Sequence, residues 1–160
     1  MADESSRRRT TGGPTMRPFG QSLPMALLRA REAVMRGFRR VLREHGLNEQ
    51  EWRIIRALME VDHIDIGELA ERVFILKPSA TRTVKNLQRR GLVNRFKSPR
   101  DQRRAHISLT AEARDLFDRL APKNEAEYTR ITHVIGAGDM QELYELLSRV
   151  TARLNDNPRR

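Results

Sequence analysis

Ten basic residues fall between Leu76 and His106: Lys77, Arg82, Lys85, Arg89, Arg90, Arg95, Lys97, Arg100, Arg103 and Arg104. Asp101 is the only acid in that stretch, which therefore carries +9 of the chain's formal net charge of +10. Guanidinium and ammonium groups hold phosphate oxygens, an Arg fork matches the O6 and N7 edge of guanine, and an Asn amide matches the N6 and N7 edge of adenine. At the helical period, Ala80, Val84 and Leu87 share one face of the segment from Pro78 to Arg90. Ser79, Arg82, Asn86 and Arg89 share the other, with Lys85 at its edge. One face packs and the opposite face reads a major groove. The candidate DNA contacts are Lys77, Pro78, Ser79, Thr81, Arg82, Lys85, Asn86 and Arg89 on this helix. Arg100, Asp101, Arg103 and Arg104 follow in a polar turn after it.

The rest of the chain sets off that segment. Its 160 residues hold 31 Lys plus Arg and 21 Asp plus Glu, yet from Ala111 onward eight bases oppose nine acids. The basicity is one local feature, and it points to a polyanionic partner. With no cysteine, disulfides, thiolate catalysis, Cys-ligated zinc and a thiol redox switch are all excluded. No apolar run approaches the ~18 residues of a membrane span, and no apolar stretch follows the N-terminal charges as in a secretory signal. A cytoplasmic protein is expected. His45, His63, His106 and His133 lack metal-ligand spacing. HExxH, P-loop and dinucleotide glycine patterns are absent too. Neither an enzyme nor a metal or other cofactor is expected.

The elements that carry the basic segment are well punctuated. Residues 1–21 form an arm with Arg7-Arg8-Arg9 and Gly12-Gly13, too polar to fold. A helix is predicted from about Leu23 to His45, with Leu27, Val34, Phe38, Val41 and Leu42 on one face and Gly46 ending it. Asn48 and Glu51 form a capping box, and Leu47 staples onto Trp52. Asp65 and Glu68 repeat the box for a short helix to about Val73, and His63-Ile64 reads as a minimal strand. The charged helix starts at Lys77-Pro78 with a poor cap, and Gly91 closes it. Leu92–Phe96 and His106–Leu109 read as strands. Thr110 caps the next helix, which Pro122 is expected to kink or interrupt. Gly136 and Gly138 precede a last helix striped by Met140, Leu143, Leu147, Val150 and Leu154.

Helix, short helix, helix and β-ribbon is the order of a winged helix-turn-helix, in a chain that is mainly α with a small β-wing. Leu92–Thr110, LVNRFKSPRDQRRAHISLT, resembles the wing of the MarR family of bacterial transcriptional regulators. Asp101-Gln102-Arg103-Arg104 matches the family's Asp-x-Arg motif. The resemblance implies that Asp101 orients the wing and Arg103 enters the minor groove. Ser22–Leu58 is similar to the group within that family that represses homoprotocatechuate degradation operons. The resemblance implies an intertwined helical homodimer on a palindromic operator. Residues 22–47 and 111–160 would form the dimerisation region and 48–110 the DNA-binding domain. It further implies a repressor of an aromatic-acid catabolic operon, released by a small aromatic carboxylate. Arg31, Trp52, His45 and Met35 are the candidate effector contacts, since a guanidinium grips a carboxylate and an indole stacks on a ring. Three of them have a packing alternative: a stripe Arg snorkels, a single Trp is core, and a terminal His favours the helix dipole. The competing function is a sequence-independent architectural DNA binder, which would need the basic stretch but not the Asn and Arg face.

Overall fold

A computed structural model of the protein describes residues 16–97 and 105–157. The chain divides into two compact units, Met1–Val34 and Met35–Arg160. In the first, a 3-10 turn at Phe19–Gln21 leads into α1 (Leu23–Glu44). The Ser22 hydroxyl donates to the Phe19 carbonyl at 3.0 Å, and Arg29 closes the turn by donating to the Gly20 carbonyl at 2.7 Å. Leu23, Leu27 and Leu28 of this unit are exposed.

The second unit continues with α2 (Glu49–Leu58), β1 (Ile64–Asp65), α3 (Ile66–Arg72), α4 (Lys77–Arg89), β2 (Val93–Lys97), β3 (Ala105–Leu109), α5 (Ala111–Ile135) and α6 (Ala137–Asp156). The sheet is antiparallel in the order β1-β3-β2, with Ile64 opposite Ile107 and Phe96 opposite His106. The expected winged helix-turn-helix is therefore what the chain forms, and the minimal strand is Ile64-Asp65, one residue later than expected. The core is a single cluster in which Ile54, Ile55, Leu58, Leu69, Val84, Leu87, Ile107 and Leu120 are fully buried.

Three of the helices stop in the same way. After α1, the Leu47 N–H donates to the Leu42 carbonyl and the Gly46 N–H to that of Arg43, with Gly46 at φ +67°. After α4, Leu92 and Gly91 make the equivalent bonds to Leu87 and Gln88, with Gly91 at φ +70°. This is the Schellman pattern, in which a left-handed residue lets two orphan carbonyls be satisfied. After α3 the bonds recur from Ile75 to Ala70 and from Phe74 to Glu71, but the left-handed position (φ +51°) is occupied by Phe74. No Gly marks that stop in the sequence.

At the starts, Asn48 and Glu51 make both halves of the expected capping box, Asp65 accepts from the Gly67 N–H at 2.7 Å, and Thr110 accepts from the Ala113 N–H at 3.2 Å. The expected interruption at Pro122 does not occur, because α5 runs unbroken from Ala111 to Ile135. Pro122 removes one hydrogen bond, to the carbonyl four residues earlier. That residue is the exposed Asp118, whose carbonyl water can serve, while Leu120 and Asn124 on the other face are buried. The last break is also narrower than expected: Gly136 (φ +96°) alone separates α5 from α6, and Gly138 is helical.

Candidate nucleic-acid interface

The packing of α4 determines which side chains can meet a ligand. Ala80, Val84 and Leu87 are buried in the core, as the helical period predicts. Thr83 joins them, its hydroxyl donating to the Ser79 carbonyl at 2.9 Å and to Gln50 Oε1 at 3.2 Å. On the other side Lys77, Pro78, Arg82, Lys85 and Arg89 are exposed, and Ser79 and Thr81 are half-buried. Thr81 donates to the Lys77 carbonyl at 2.9 Å. Leu76 occupies the N-cap position and offers no side-chain bond, so nothing from a side chain caps the first turn. Uncapped first-turn N–H groups beside Lys77 suit a phosphate.

Asn86, expected on the reading face, is engaged within the protein. It is half-buried, and its amide donates to Glu51 Oε1 at 2.6 Å, so it faces α2 instead of presenting a free amide edge. Its oxygen accepts from Arg89 Nη2 at 3.1 Å. Arg90 also turns inward, donating to Glu51 Oε1 at 3.0 Å. The sheet extends the basic surface: Asn94, Arg95, Phe96 and Lys97 of β2 are exposed. Arg95 and Lys97 contribute to the charge count but were not among the expected contacts. Their position on the edge strand places them beside the wing. The wing candidates Arg100, Asp101, Arg103 and Arg104 lie outside the described residues. Near the Lys97–Ala105 end of the β2–β3 ladder, His63 stacks on His106 with ring centroids 4.9 Å apart, and Phe96 meets each ring at 5.9 Å.

The expected effector contacts are placed as follows. Arg31, in the first unit, pairs with Glu32 at 2.9 Å. Met35 is half-buried on α1. His45 is committed within the protein, with Nδ1 donating to the Val41 carbonyl at 3.0 Å and Nε2 accepting from Lys123 at 3.1 Å. Both ring nitrogens are occupied in this structure, which links the end of α1 to α5. Trp52 is only 8% exposed and stacks on Phe117 with ring centroids 5.4 Å apart. One turn along α2, exposed Arg56 donates to the Tyr128 hydroxyl at 3.4 Å, and Tyr128 packs on Phe38 with centroids 4.8 Å apart. A cavity of about 210 Å³ is lined by Arg39, Leu42, Arg43, Leu47, Asn48 and Glu49. A more open one lies at Tyr128, Thr129, Thr132, His133, Gly136 and Ala137. Neither is lined by any of the four expected residues. Among the described residues no cluster of three or more His, Asp or Glu could hold a metal, and no helix is long and apolar enough to cross a membrane.

Comparison with known proteins agrees with this geometry. The MarR family model matches residues 45–104, from the end of α1 into the wing. The chain is 44% identical over 131 residues to the homoprotocatechuate degradative operon repressor of Escherichia coli, covering 82% of this chain and 88% of that protein. The chain belongs to the MarR family. A second relative, the HTH-type transcriptional regulator FarR of Neisseria gonorrhoeae, is 37% identical over 135 residues, 84% of this chain and 92% of FarR. The crystal structure of NadR in complex with 4-hydroxyphenylacetate is 36% identical and superimposes with a TM-score of 0.74, over 84% of this chain and 98% of NadR. In this MarR-family chain, the pairing of Arg56 with Tyr128 was missed by sequence reasoning. The two residues are 72 positions apart, and no periodicity within α2 or α5 shows that those faces meet.

Proposed function

We propose that this protein is a transcriptional repressor that binds a palindromic operator as a homodimer and is released by a small aromatic carboxylate. The observation that carries the reading is α4. It buries Ala80, Val84 and Leu87 and turns Arg82, Lys85 and Arg89 to solvent, directly before a basic β-ribbon. Arg82, near the middle of the exposed face, reads a base edge; Lys77, Ser79, Thr81, Lys85 and Arg89 hold backbone and flanking groups. Arg103 and its neighbours Arg100 and Arg104 carry the wing into the minor groove, oriented by Asp101, as the family motif implies.

Dimerisation is supported by unpartnered apolar surface. Leu143, Leu147, Val150 and Leu154 along α6 are 38–66% exposed, in one stripe at helical spacing. Leu23, Leu27 and Leu28 are exposed in the first unit. Apolar stripes of this size need a cover, and a two-fold dimer is the commonest one. Two related repressor sites mirrored by the dimer axis make the operator palindromic.

The aromatic effector is supported by the relatives, one named for a homoprotocatechuate operon and one crystallised with 4-hydroxyphenylacetate. Within the second unit the matching chemistry is the Arg56 guanidinium beside the Tyr128 phenol, one helical turn from Trp52. It offers a carboxylate partner, a hydroxyl and aromatic walls. Met35 of the same unit is a further candidate contact, and Arg31 of the first unit is a separate candidate by its residue type.

The test is fluorescence anisotropy on an operator selected from a random-sequence library, titrated with 4-hydroxyphenylacetate and related aromatic acids. The expected result is loss of operator binding in the presence of one of these acids. Arg56→Ala and Arg31→Ala should each blunt that response while leaving affinity without the acid intact. Full release of both variants by the same acid concentration as wild type overturns the effector assignment. Arg82→Ala should weaken operator binding by roughly 1–3 kcal/mol and relax preference at one base pair.

A further inference from the structure

We infer that Glu51 is a positioning residue for DNA recognition: through Asn86 it aims Arg89 on the exposed face of α4. The inference deepens the DNA-docking reading above and rests on it. Glu51 stands in the first turn of α2 with its side chain 3% exposed. One carboxylate oxygen accepts from the Asn48 N–H at 2.9 Å, which is its half of the capping box. The other accepts from Nδ2 of Asn86, in the last turn of α4, at 2.6 Å and from Nη1 of Arg90, the C-cap residue of α4, at 3.0 Å. A capping box requires only the first oxygen. Here the second latches one helix onto another.

The latch reaches the surface because a carboxamide has two unlike edges, one donating and one accepting. The Asn86 donor edge is taken by the carboxylate, so its oxygen faces away from Glu51, where Arg89 Nη2 donates to it at 3.1 Å. The flipped amide would set its oxygen against the carboxylate and its NH2 against the guanidinium, which is repulsive at both ends. Only one orientation satisfies the chain from Glu51 through Asn86 to Arg89. An exposed Arg otherwise samples many rotamers, and binding must pay for freezing them. A tether in the free protein removes part of that cost. The same carboxylate sorts two consecutive arginines by function. Arg90 is drawn inward and compensates the buried charge, without which that carboxylate would be strongly destabilising. Arg89 is left outward and oriented.

The experiment is a double-mutant cycle on the full-length protein, read as operator affinity by anisotropy, with circular dichroism at the assay temperature confirming that each variant is folded. Arg89→Ala is expected to weaken binding about 10-fold, the usual loss of one Arg contact. Asn86→Ala should weaken it about 3- to 5-fold in the wild-type background, a fraction of the same contact. In the Arg89→Ala background Asn86→Ala should have no further effect, because the group it aims is gone. Asn86→Ser, too short to reach Arg89, serves in the same cycle if Asn86→Ala does not fold, with the same expectation. Equal losses in both backgrounds would show that Asn86 merely supports the helix, and would overturn the inference. An Arg89→Ala protein with unchanged affinity would instead overturn the docking of Arg89 itself, so the two failures are told apart.

Discussion

Phe74 occupies a backbone position that glycine fills at the two equivalent helix ends, and replacing it gives a prediction whose sign follows from the structure. A left-handed residue with a Cβ costs roughly 1–2 kcal/mol relative to glycine. Introducing glycine gives back about 0.5–1 kcal/mol through the greater freedom of the unfolded chain. The packing term is small, because the Phe74 side chain is 91% exposed. Phe74→Gly should therefore stabilise the protein by up to about 1.5 kcal/mol, the difference of those two terms. The converse changes, Gly46→Ala and Gly91→Ala, should each destabilise it by about 1 kcal/mol or more, since both glycines hold φ near +70°. The assay is urea unfolding followed by circular dichroism at one fixed protein concentration, because association shifts apparent stability by mass action. A Phe74→Gly protein that is less stable than wild type would refute the reasoning. It would mean that the Phe74 ring has a contact offsetting its backbone strain.

Other expectations follow from the packing of α1, α5 and α6. A Cβ at Gly37 would overlap the Glu127 carboxylate, which is buried and held by Arg130 at 2.6–3.1 Å. Gly37→Ala should thus destabilise the protein by about 1–2 kcal/mol despite the better helix propensity of Ala. In a Glu127→Ala background the same change should become neutral or stabilising in urea unfolding. The hydrogen bonds from Arg130 hold the Glu127 carboxyl below its ordinary range against the opposing effect of burial, and the charges of Arg130 and Arg40 add to the lowering. A depressed folded-state value stabilises the protein above the unfolded-state value and is lost as pH falls through the folded one. Glu127→Gln should then flatten the acid side of the stability profile measured by urea midpoints from about pH 7 to 3. Leu147→Glu, in the exposed stripe of α6, should yield monomers by analytical ultracentrifugation, and an unchanged dimer would remove α6 from the interface.

Much of this fold is legible in the sequence because local chemistry and tertiary packing agree. Asn48 with Glu51, Asp65, Thr110, Gly46 and Gly91 each mark a helix end by a bond that the structure contains. The Ala80, Val84 and Leu87 face packs as its period requires. The departures arise where a distant partner overrides a local rule. Pro122 predicts a kink or an interruption, yet α5 runs unbroken, with Leu120 and Asn124 buried on its far face. Asn86 has the residue type and spacing of a base-reading side chain, yet a carboxylate 35 positions earlier takes its amide. His45 lies on an apolar line, but its nitrogens are taken by the Val41 carbonyl and by Lys123, 78 positions away. Phe74 ends α3 with no sequence mark, since nothing about a phenylalanine announces a left-handed backbone. On the basic face of α4 the exposed charges were legible one by one. The inward turn of Arg90 and Asn86 was not, because it depends on which helix crosses behind them.

The central claim is that the exposed face of α4 and the wing read DNA sequence. The most direct measurement is the ratio of affinities for a selected operator and for random duplex of the same length, at one physiological salt concentration. Specific recognition predicts a ratio of at least about 10³, since base contacts add to a phosphate term that both duplexes share. A ratio near one would contradict the account and leave the basic helix and ribbon as a clamp on the phosphate backbone alone.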